Sequence, residues 1–238
     1  YDSNNSRWVI TAAGIDSIYL DNTDLEFVNN DRWLKRLAGF KDSAGNKHTI
    51  YVEAGDDIKS IIEAAPAGSK VYILSGTHTF TDTINPPDGI EIEGENKHKT
   101  ILNFKPSVNN KAAFGWSAVD CLFKAHNFTL QYDDSVAGSP TWGAYGFDIR
   151  NVGSTKLFTV QLEGLIIIDF HSGMYWAGNK YWYTSMFLRN ILCKDCSYAG
   201  FYGGGYHSLF TSLTARSCGI GFYFSNQYAT TVNNFETI

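Results

Sequence analysis

Three carboxylates, Asp148, Glu163 and Asp169, fall within one short stretch of this chain. Hydrolysis of a glycosidic bond uses two such groups, about 5–5.5 Å apart for retention or about 6.5–9.5 Å apart for inversion. Tyr175, Tyr202 and Tyr223 follow, with Arg150 two residues beyond Asp148 and the aromatics Trp142, Trp182 and Tyr183 in less regular segments. Sugar rings present C–H faces that pack on aromatic rings, while their hydroxyls need polar partners. The set therefore suits a glycan, with Asp148, Glu163 and Asp169 as catalytic candidates. Tyr175, Tyr202, Tyr223, Trp182 and Arg150 are the binding candidates. Glu91 and Glu93 form a separate outward pair on one strand. The plainer alternatives are that the acids are solvated surface groups and that aligned tyrosines merely stabilise an exposed sheet.

What would align these residues is a repeat. Asn190-Ile191-Leu192-Cys193, Ser212-Leu213-Thr214-Ala215 and Asn234-Phe235-Glu236-Thr237 share one pattern at a spacing of 22, preceded by Gly164-Leu165-Ile166-Ile167. Beside it runs a second ladder: Gly146-Phe147-Asp148-Ile149, Gly173-Met174-Tyr175-Trp176, Gly200-Phe201-Tyr202-Gly203 and Gly221-Phe222-Tyr223-Phe224. Two short alternating strands per repeat, each opened by a Gly, Asn or Ser turn, describe a β-solenoid in which like residues stack on like. Period-2 alternation then sends Leu165, Ile191, Leu213 and Phe235 inward, with Ile167, Cys193, Ala215 and Thr237. Phe147, Met174, Phe201 and Phe222 do the same on the second ladder, and Asp148, Tyr175, Tyr202 and Tyr223 face outward. Asn127, Gly164, Asn190, Ser212 and Asn234 hold the bend before the first ladder, where left-handed backbone is tolerated.

Ahead of the repeats, His48 to Val52 reads as a strand. Asp56 or Asp57 caps a short helix near 57–65 whose apolar residues Ile58, Ile61, Ile62 and Ala65 lie on one face. The run "GSKVYILSGTHTFTDTINPPDGIEIEGENKHKTIL" follows that helix. This opening resembles the pectin-lyase-like, right-handed parallel β-helix superfamily, in which such a helix plugs the first coil. The resemblance implies an all-β, right-handed parallel β-helix from about residue 47 to 238, a hand that parallel crossovers favour in general. It also implies extracellular or virion polysaccharide chemistry of the pectate-lyase or phage-tailspike kind. The chemistry motifs of those enzymes are absent: no Arg-x-Pro-x-x-Arg, Gly-His-Gly, Asn-Thr-Asp or Asp-Pro-His-Glu occurs.

Residues 1–46 stand outside the pattern, with strands expected at Trp8–Ile10, Ile18–Leu20 and Leu25–Val28 and a helical turn at Arg32–Lys35, and read as a docking or neck module. The chain stops at Ile238 inside a predicted strand, so the solenoid is expected to be C-terminally incomplete. Asp133 to Trp142 and Gly178 to Tyr183 interrupt the coils, and such excursions often build a solenoid's binding face.

Charge balance is 19 basic against 24 acidic residues, net −5, with no Lys/Arg run, which argues against a nucleic-acid partner. No apolar stretch approaches the roughly 20 residues of a membrane span. No cofactor or metal spacing is evident. Cys196 and Cys218 fall at equivalent positions, about one strand spacing of 4.8 Å apart, and are expected as stacked free thiols although within disulfide reach. Ile166, Ile168 and Leu192 are apolar yet outward, so this patch is expected to be covered, by identical copies packed side by side or by the loop at 133–142 folding over it; the tailspike resemblance implies a homotrimer. The leading expectation is a virion tailspike- or appendage-type protein that binds, and cleaves if catalytic, a host cell-surface polysaccharide and attaches to virion tail components. A secreted polysaccharide lyase or hydrolase and a non-catalytic adhesive solenoid are the alternatives.

Overall fold

The computed structural model of the protein describes residues 7–12, 15–21, 49–116, 121–150, 158–177, 184–204, 208–224 and 231–238. Near the N-terminus β1 (Arg7–Ala12) and β2 (Ile15–Asp21) pair as an antiparallel hairpin. This agrees with two of the expected strands, while Leu25–Val28 and Arg32–Lys35 lie outside the described residues. β3 (Thr49–Val52) then leads into α1 (Ile58–Ala64). Asp57 caps this helix by accepting from the Ser60 amide, and Ile58 and Ile62 are buried. One side of a short helix is thus committed to the core.

The coils follow in order. β4 (Lys70–Ile73) and β5 (Gly76–Phe80) make the first, and β6 (Glu91–Gly94), β7 (Thr100–Phe104) and β8 (Phe114–Gly115) the second. β9 (Cys121–His126), β10 (Thr129–Tyr132) and β11 (Tyr145–Arg150) make the third, and β12 (Phe158–Glu163), β13 (Ile166–Ile168) and β14 (Ser172–Ala177) the fourth. β15 (Thr184–Lys194) and β16 (Ala199–Gly203) form the fifth, β17 (Leu209–Arg216) and β18 (Ile220–Phe224) the sixth, and β19 (Thr231–Thr237) opens the next. Every pairing from β3 onward is parallel. The chain is a parallel β-helix.

Each coil has three faces rather than the expected two strands. The second and third faces are the two ladders read from the sequence, and their register agrees throughout: Leu130, Ile167, Cys193, Ala215 and Thr237 stack in line, as do Phe147, Met174, Phe201 and Phe222. The first face carries a further inward column, Ile50, Val71, Ile92, Ala125, Leu162, Leu188 and Phe210, all buried. On this face Phe187 and Leu209 point outward, 41% and 40% exposed, so apolar neighbours blur the alternation that marks a half-buried strand. In β15 and β17 the first and second faces run on as one strand, bent at Asn190 and Ser212.

The bend column behaves as its residue types imply. Asn127, Gly164, Asn190, Ser212 and Asn234 have φ of 68°, 63°, 54°, 54° and 56°, the left-handed region in which Gly and Asn are least strained. Asn127 also donates from Nδ2 to the Gly94 carbonyl of the previous coil at 2.8 Å. A second left-handed column, Asp169, Asp195 and Ser217 (φ 66°, 55° and 52°), turns the chain from the second face to the third.

The glycines that open the third face do something else. Gly146, Gly173, Gly200 and Gly221 sit inside strands and are absent from the positive-φ residues. A Cβ on Gly173 would lie 2.5 Å from Cys193 Sγ and 2.9 Å from the Gly200 carbonyl oxygen. On Gly200 it would meet the Ala215 Cβ and the Gly221 carbonyl oxygen, each at 2.9 Å. They are there for close approach between faces and coils, not for a turn. Cys193, Cys196 and Cys218 are free thiols, with Cys196 and Cys218 at the same corner in successive coils, as expected.

Candidate functional site

The third face carries an aromatic ladder. Asp148, Tyr175, Tyr202 and Tyr223 align in the backbone register, and the tyrosine rings stack nearly parallel. Tyr175 and Tyr202 are 5.3 Å apart at 9°, and Tyr202 and Tyr223 are 4.6 Å apart at 8°. Tyr145, fully buried, completes the stack beneath Tyr175 at 4.4 Å and 11°. Because the rings cover one another's faces, the ladder offers mainly edges and hydroxyls to solvent. Burial is the chief cause that pushes the Tyr202 phenol above its ordinary pKa, with Tyr198, Tyr223 and Tyr175 adding to it.

Trp142 crosses this stack. Its ring lies 5.9, 5.8 and 6.1 Å from Tyr145, Tyr175 and Tyr202, at 86°, 76° and 85°. It meets His171 and Tyr198 in the same edge-to-face manner, yet remains 54% exposed. His171 stacks on Tyr198 at 5.1 Å and 5°, and its Nδ1 is 3.3 Å from Ser197 Oγ. Burial lowers the His171 pKa, which favours the neutral imidazole. Trp142 is thus held on several sides by rings while much of its indole stays open. A rigid indole loses little conformational entropy when a sugar packs on it.

Beside this aromatic group, where the second face turns into the third, lies a cleft of about 470 Å³ lined by Asn103, Gln131, Tyr132, Asp133, Asp134, Asp169 and Asp195, together with Ser139, Pro140 and Ser197. The excursion after β10 forms part of its wall and is pinned by the Thr141 amide donating to the Asn109 carbonyl at 2.8 Å. Asp133 accepts from the Ser135 amide at 3.0 Å and from Asn103 Nδ2 at 3.2 Å. Bonds from Ser135 and then Asn103 hold its pKa down at about 2. Asp169 moves the other way: burial first, then the charges of Asp195 and Asp134, raise its pKa. Asp169 and Asp195 share one corner position in successive coils, so their Cα atoms stand about one strand spacing of 4.8 Å apart. Lys194 Nζ sits 2.9 Å from the Asp195 carboxylate. One carboxyl biased toward its protonated form beside one paired with a cation is a combination able to give and take a proton.

A second groove of about 500 Å³ runs along the first face, lined by Glu91, Lys124, His126, Gln161, Glu163, Phe187, Arg189, Leu209 and Thr211 among others. Its acidic groups have basic neighbours. Arg189 Nε donates to Glu163 at 2.8 Å, His126 Nε2 lies 3.2 Å from Glu91, and Lys70 bridges Glu91 and Glu93. The donor atoms of Glu91, Glu93 and His126 lie within 4.8 Å of one another, so these three could hold a divalent cation. The Lys70 ammonium bridges both carboxylates and His126 contacts Glu91, so the cluster reads as an ion-pair network on partly exposed acids.

The structure separates the three carboxylates singled out in the sequence. Glu163 ends the first-face strand β12 and pairs with Arg189. Asp169 lies at the corner cleft. Asp148 is only 8% exposed, on the third face between Gly115 and Tyr175. They do not converge on one bond, because consecutive strands of a coil look out in different directions. Arg150 pairs in register with Ala177, but its side chain, like Trp182 and Tyr183, lies outside the described residues. Tyr175, Tyr202 and Tyr223 do line one strip. Tyr145, Tyr198, Ser197 and Asp195 went unrecognised as site residues. Asp195 had a signal, since Asp169 and Asp195 each follow a bend residue, Gly164 and Asn190, by five positions.

No protein-family model matches the sequence, and no curated protein matches it. Among solved structures the chain is similar to pectin methylesterase PemA from Erwinia chrysanthemi, at 16% identity and a TM-score of 0.42, over 72% of this chain and 55% of that one. It is also similar to ORF18 of Geobacillus virus E2, at 14% identity and a TM-score of 0.39, over 78% of this chain and 40% of that one. The chain therefore spans about half, or less, of the length of these two proteins. Among the described residues no helix is long and apolar enough to cross a membrane.

Proposed function

We propose that this chain is a polysaccharide-binding β-helix of a virion tailspike or appendage, and that a host-surface glycan lies across Trp142 with its hydroxyls directed into the corner cleft. The observation that carries this reading is Trp142 itself: a large apolar ring braced by five neighbouring rings, still open to solvent, beside a cleft of carboxylates, amides and hydroxyls. A ring fixed in place and left open is a preformed surface on which the C–H face of a sugar can pack. The ladder of Tyr175, Tyr202 and Tyr223 supports the platform from behind and supplies hydroxyls at its edge. Residues 1–46 serve attachment to the particle in this reading, and the half-buried Ile166, Ile168 and Leu192 become covered in a homotrimer. Screening the purified chain and its Trp142→Ala variant on an array of bacterial surface polysaccharides tests it. Binding that disappears in the variant, at an unchanged Tm, is the expected outcome. Equal binding by both proteins, or none by either, overturns it.

A second reading, cleavage of the bound chain, is favoured by the corner pair. Asp169, with its raised pKa, would serve as general acid, and Asp195 would sit close enough for the retaining geometry of about 5–5.5 Å between carboxyl groups. Release of reducing ends from the bound polysaccharide that is lost in both Asp169→Asn and Asp195→Asn is expected. Release that survives either change rules out this pair.

A further inference from the structure

The corner where the second face turns into the third carries a feature unconnected with glycan. Cys196 follows Asp195 and Cys218 follows Ser217, and both preceding residues are left-handed. The register Cys193 with Ala215 and Lys194 with Arg216 continues around the bend, since the Asp195 amide donates to the Arg216 carbonyl at 3.0 Å and the Gly219 amide to the Cys196 carbonyl at 3.2 Å. The two cysteines therefore lie one above the other in successive coils. Their Cα atoms are separated by about one strand spacing, 4.8 Å, inside the range of about 4.4–6.8 Å that a disulfide spans. The Cys196 thiol donates to the Lys194 carbonyl at 3.6 Å and the Cys218 thiol to the neighbouring Cys193 carbonyl at 3.6 Å, so both sulfurs lie against the same stretch of the fifth coil.

We propose that Cys196 and Cys218 form a redox-active dithiol that closes into a disulfide, stapling the fifth coil to the sixth, with a small-molecule disulfide such as oxidised glutathione as electron acceptor. The two sulfurs have distinct parts. Cys218 is only partly buried, whereas Cys196 is 1% exposed. The adjoining Cys196 thiol is the leading cause that brings the Cys218 thiol down to about 7, while contact with Cys218 and burial raise the Cys196 pKa well above the usual thiol value. A thiolate with a pKa near ambient pH is the effective attacker in thiol–disulfide exchange. The Cys218 thiolate attacks one sulfur of the small disulfide, its S–S bond breaks, and one thiolate leaves and takes up a proton. Cys196 then loses its proton and attacks Cys218 Sγ, expelling the second thiolate. Two protein thiols become one disulfide, and one small disulfide becomes two thiols. Cys193 takes no part: it is fully buried in the inward column between Ile167 and Ala215, where burial raises its pKa well above the usual thiol value.

The test is incubation of the intact, reduced chain with oxidised glutathione, followed by intact-mass measurement and peptide mapping. The expected result is a loss of two hydrogens and a linked peptide pair containing Cys196 and Cys218. Cys196→Ser should stall at a glutathione adduct on Cys218, because the resolving thiol is gone. Cys218→Ser should gain neither adduct nor cross-link at Cys196. A wild-type chain in which both thiols remain alkylatable after oxidation overturns the proposal. So does a cross-link that uses Cys121 or Cys193 instead, or a Cys196→Ser variant with a free Cys218. The wild-type measurement stands even if a variant fails to fold.

Discussion

Tyr145 lies face to face with Tyr175 at 4.4 Å, although the backbone register pairs Tyr175 with Asp148 and Tyr145 with Ser172. The ring that continues the ladder downward therefore comes from a different backbone position than the strand repeat would supply. Asp148, which holds that position, is left largely covered. This displacement also lets Trp142 rest on Tyr145 and Tyr175 together, since both rings belong to one stack.

If Tyr145 braces the platform, Tyr145→Leu should weaken polysaccharide binding while leaving the cleft carboxylates in place. The substitution keeps a buried apolar group but removes the flat ring against which Trp142 packs, worth about 0.5–1.5 kcal/mol for an aromatic pair beyond its area. Binding measured beside Trp142→Ala, with Trp fluorescence reporting the indole's surroundings, checks this. An unshifted emission spectrum would mean that Tyr145 does not hold Trp142.

Leu213 stacks between Ile191 and Phe235 and is fully buried. Leu213→Ala should cost about 2–5 kcal/mol through lost burial and the cavity left behind. Denaturant melts followed by circular dichroism give the number, and a cost near zero would contradict the register.

The Gly173 position tests coil-to-coil packing. Gly173→Ala drives a methyl group to within 2.5 Å of Cys193 Sγ and should destabilise by about 1–3 kcal/mol, the usual range for overpacking. Cys193→Ala removes that sulfur, so the double variant should recover part of the loss, with the Gly200 carbonyl at 2.9 Å limiting recovery. A strictly additive cycle would show that the two sites do not touch.

Two cleft acids should respond to pH with opposite signs. Asp169 has a raised pKa in the fold, so its contribution is most favourable below the ordinary value of 3.8 and is lost as pH rises through its folded value. Asp169→Asn should therefore raise Tm at pH 7 and change it little at pH 3. Asp133 is held down at about 2, so its contribution is present above 3.8 and is lost as pH falls toward 2. Asp133→Asn should lower Tm at pH 7. Melting curves of both variants across pH 3–7 decide it, and parallel shifts at all pH values would show that neither carboxyl is perturbed as described.

Much of the architecture was legible in the chain itself. Period-2 alternation and the 22-residue spacing place Ile191, Leu213 and Phe235 in one inward column without any coordinates. The types at Asn127, Gly164, Asn190, Ser212 and Asn234 announce left-handed bends because few residues accept that backbone. Local sterics and one-sided burial act on every repeat alike, so they leave a periodic trace in sequence. Other features left none. In the later coils the first face escaped notice because outward Phe187 and Leu209 interrupt its alternation. The glycines opening the third face looked like turns, since their role depends on how near the next coil's carbonyl comes. The three carboxylates seemed to be neighbours because sequence order does not say which way each face of a coil looks. Only the folding of three faces around one core separates Asp148, Glu163 and Asp169 and brings Trp142 from an irregular excursion onto the tyrosine ladder. It also sets Asp169 beside Asp195. Those contacts join residues from different coils and depend on the path of each corner, which no local pattern in the sequence encodes.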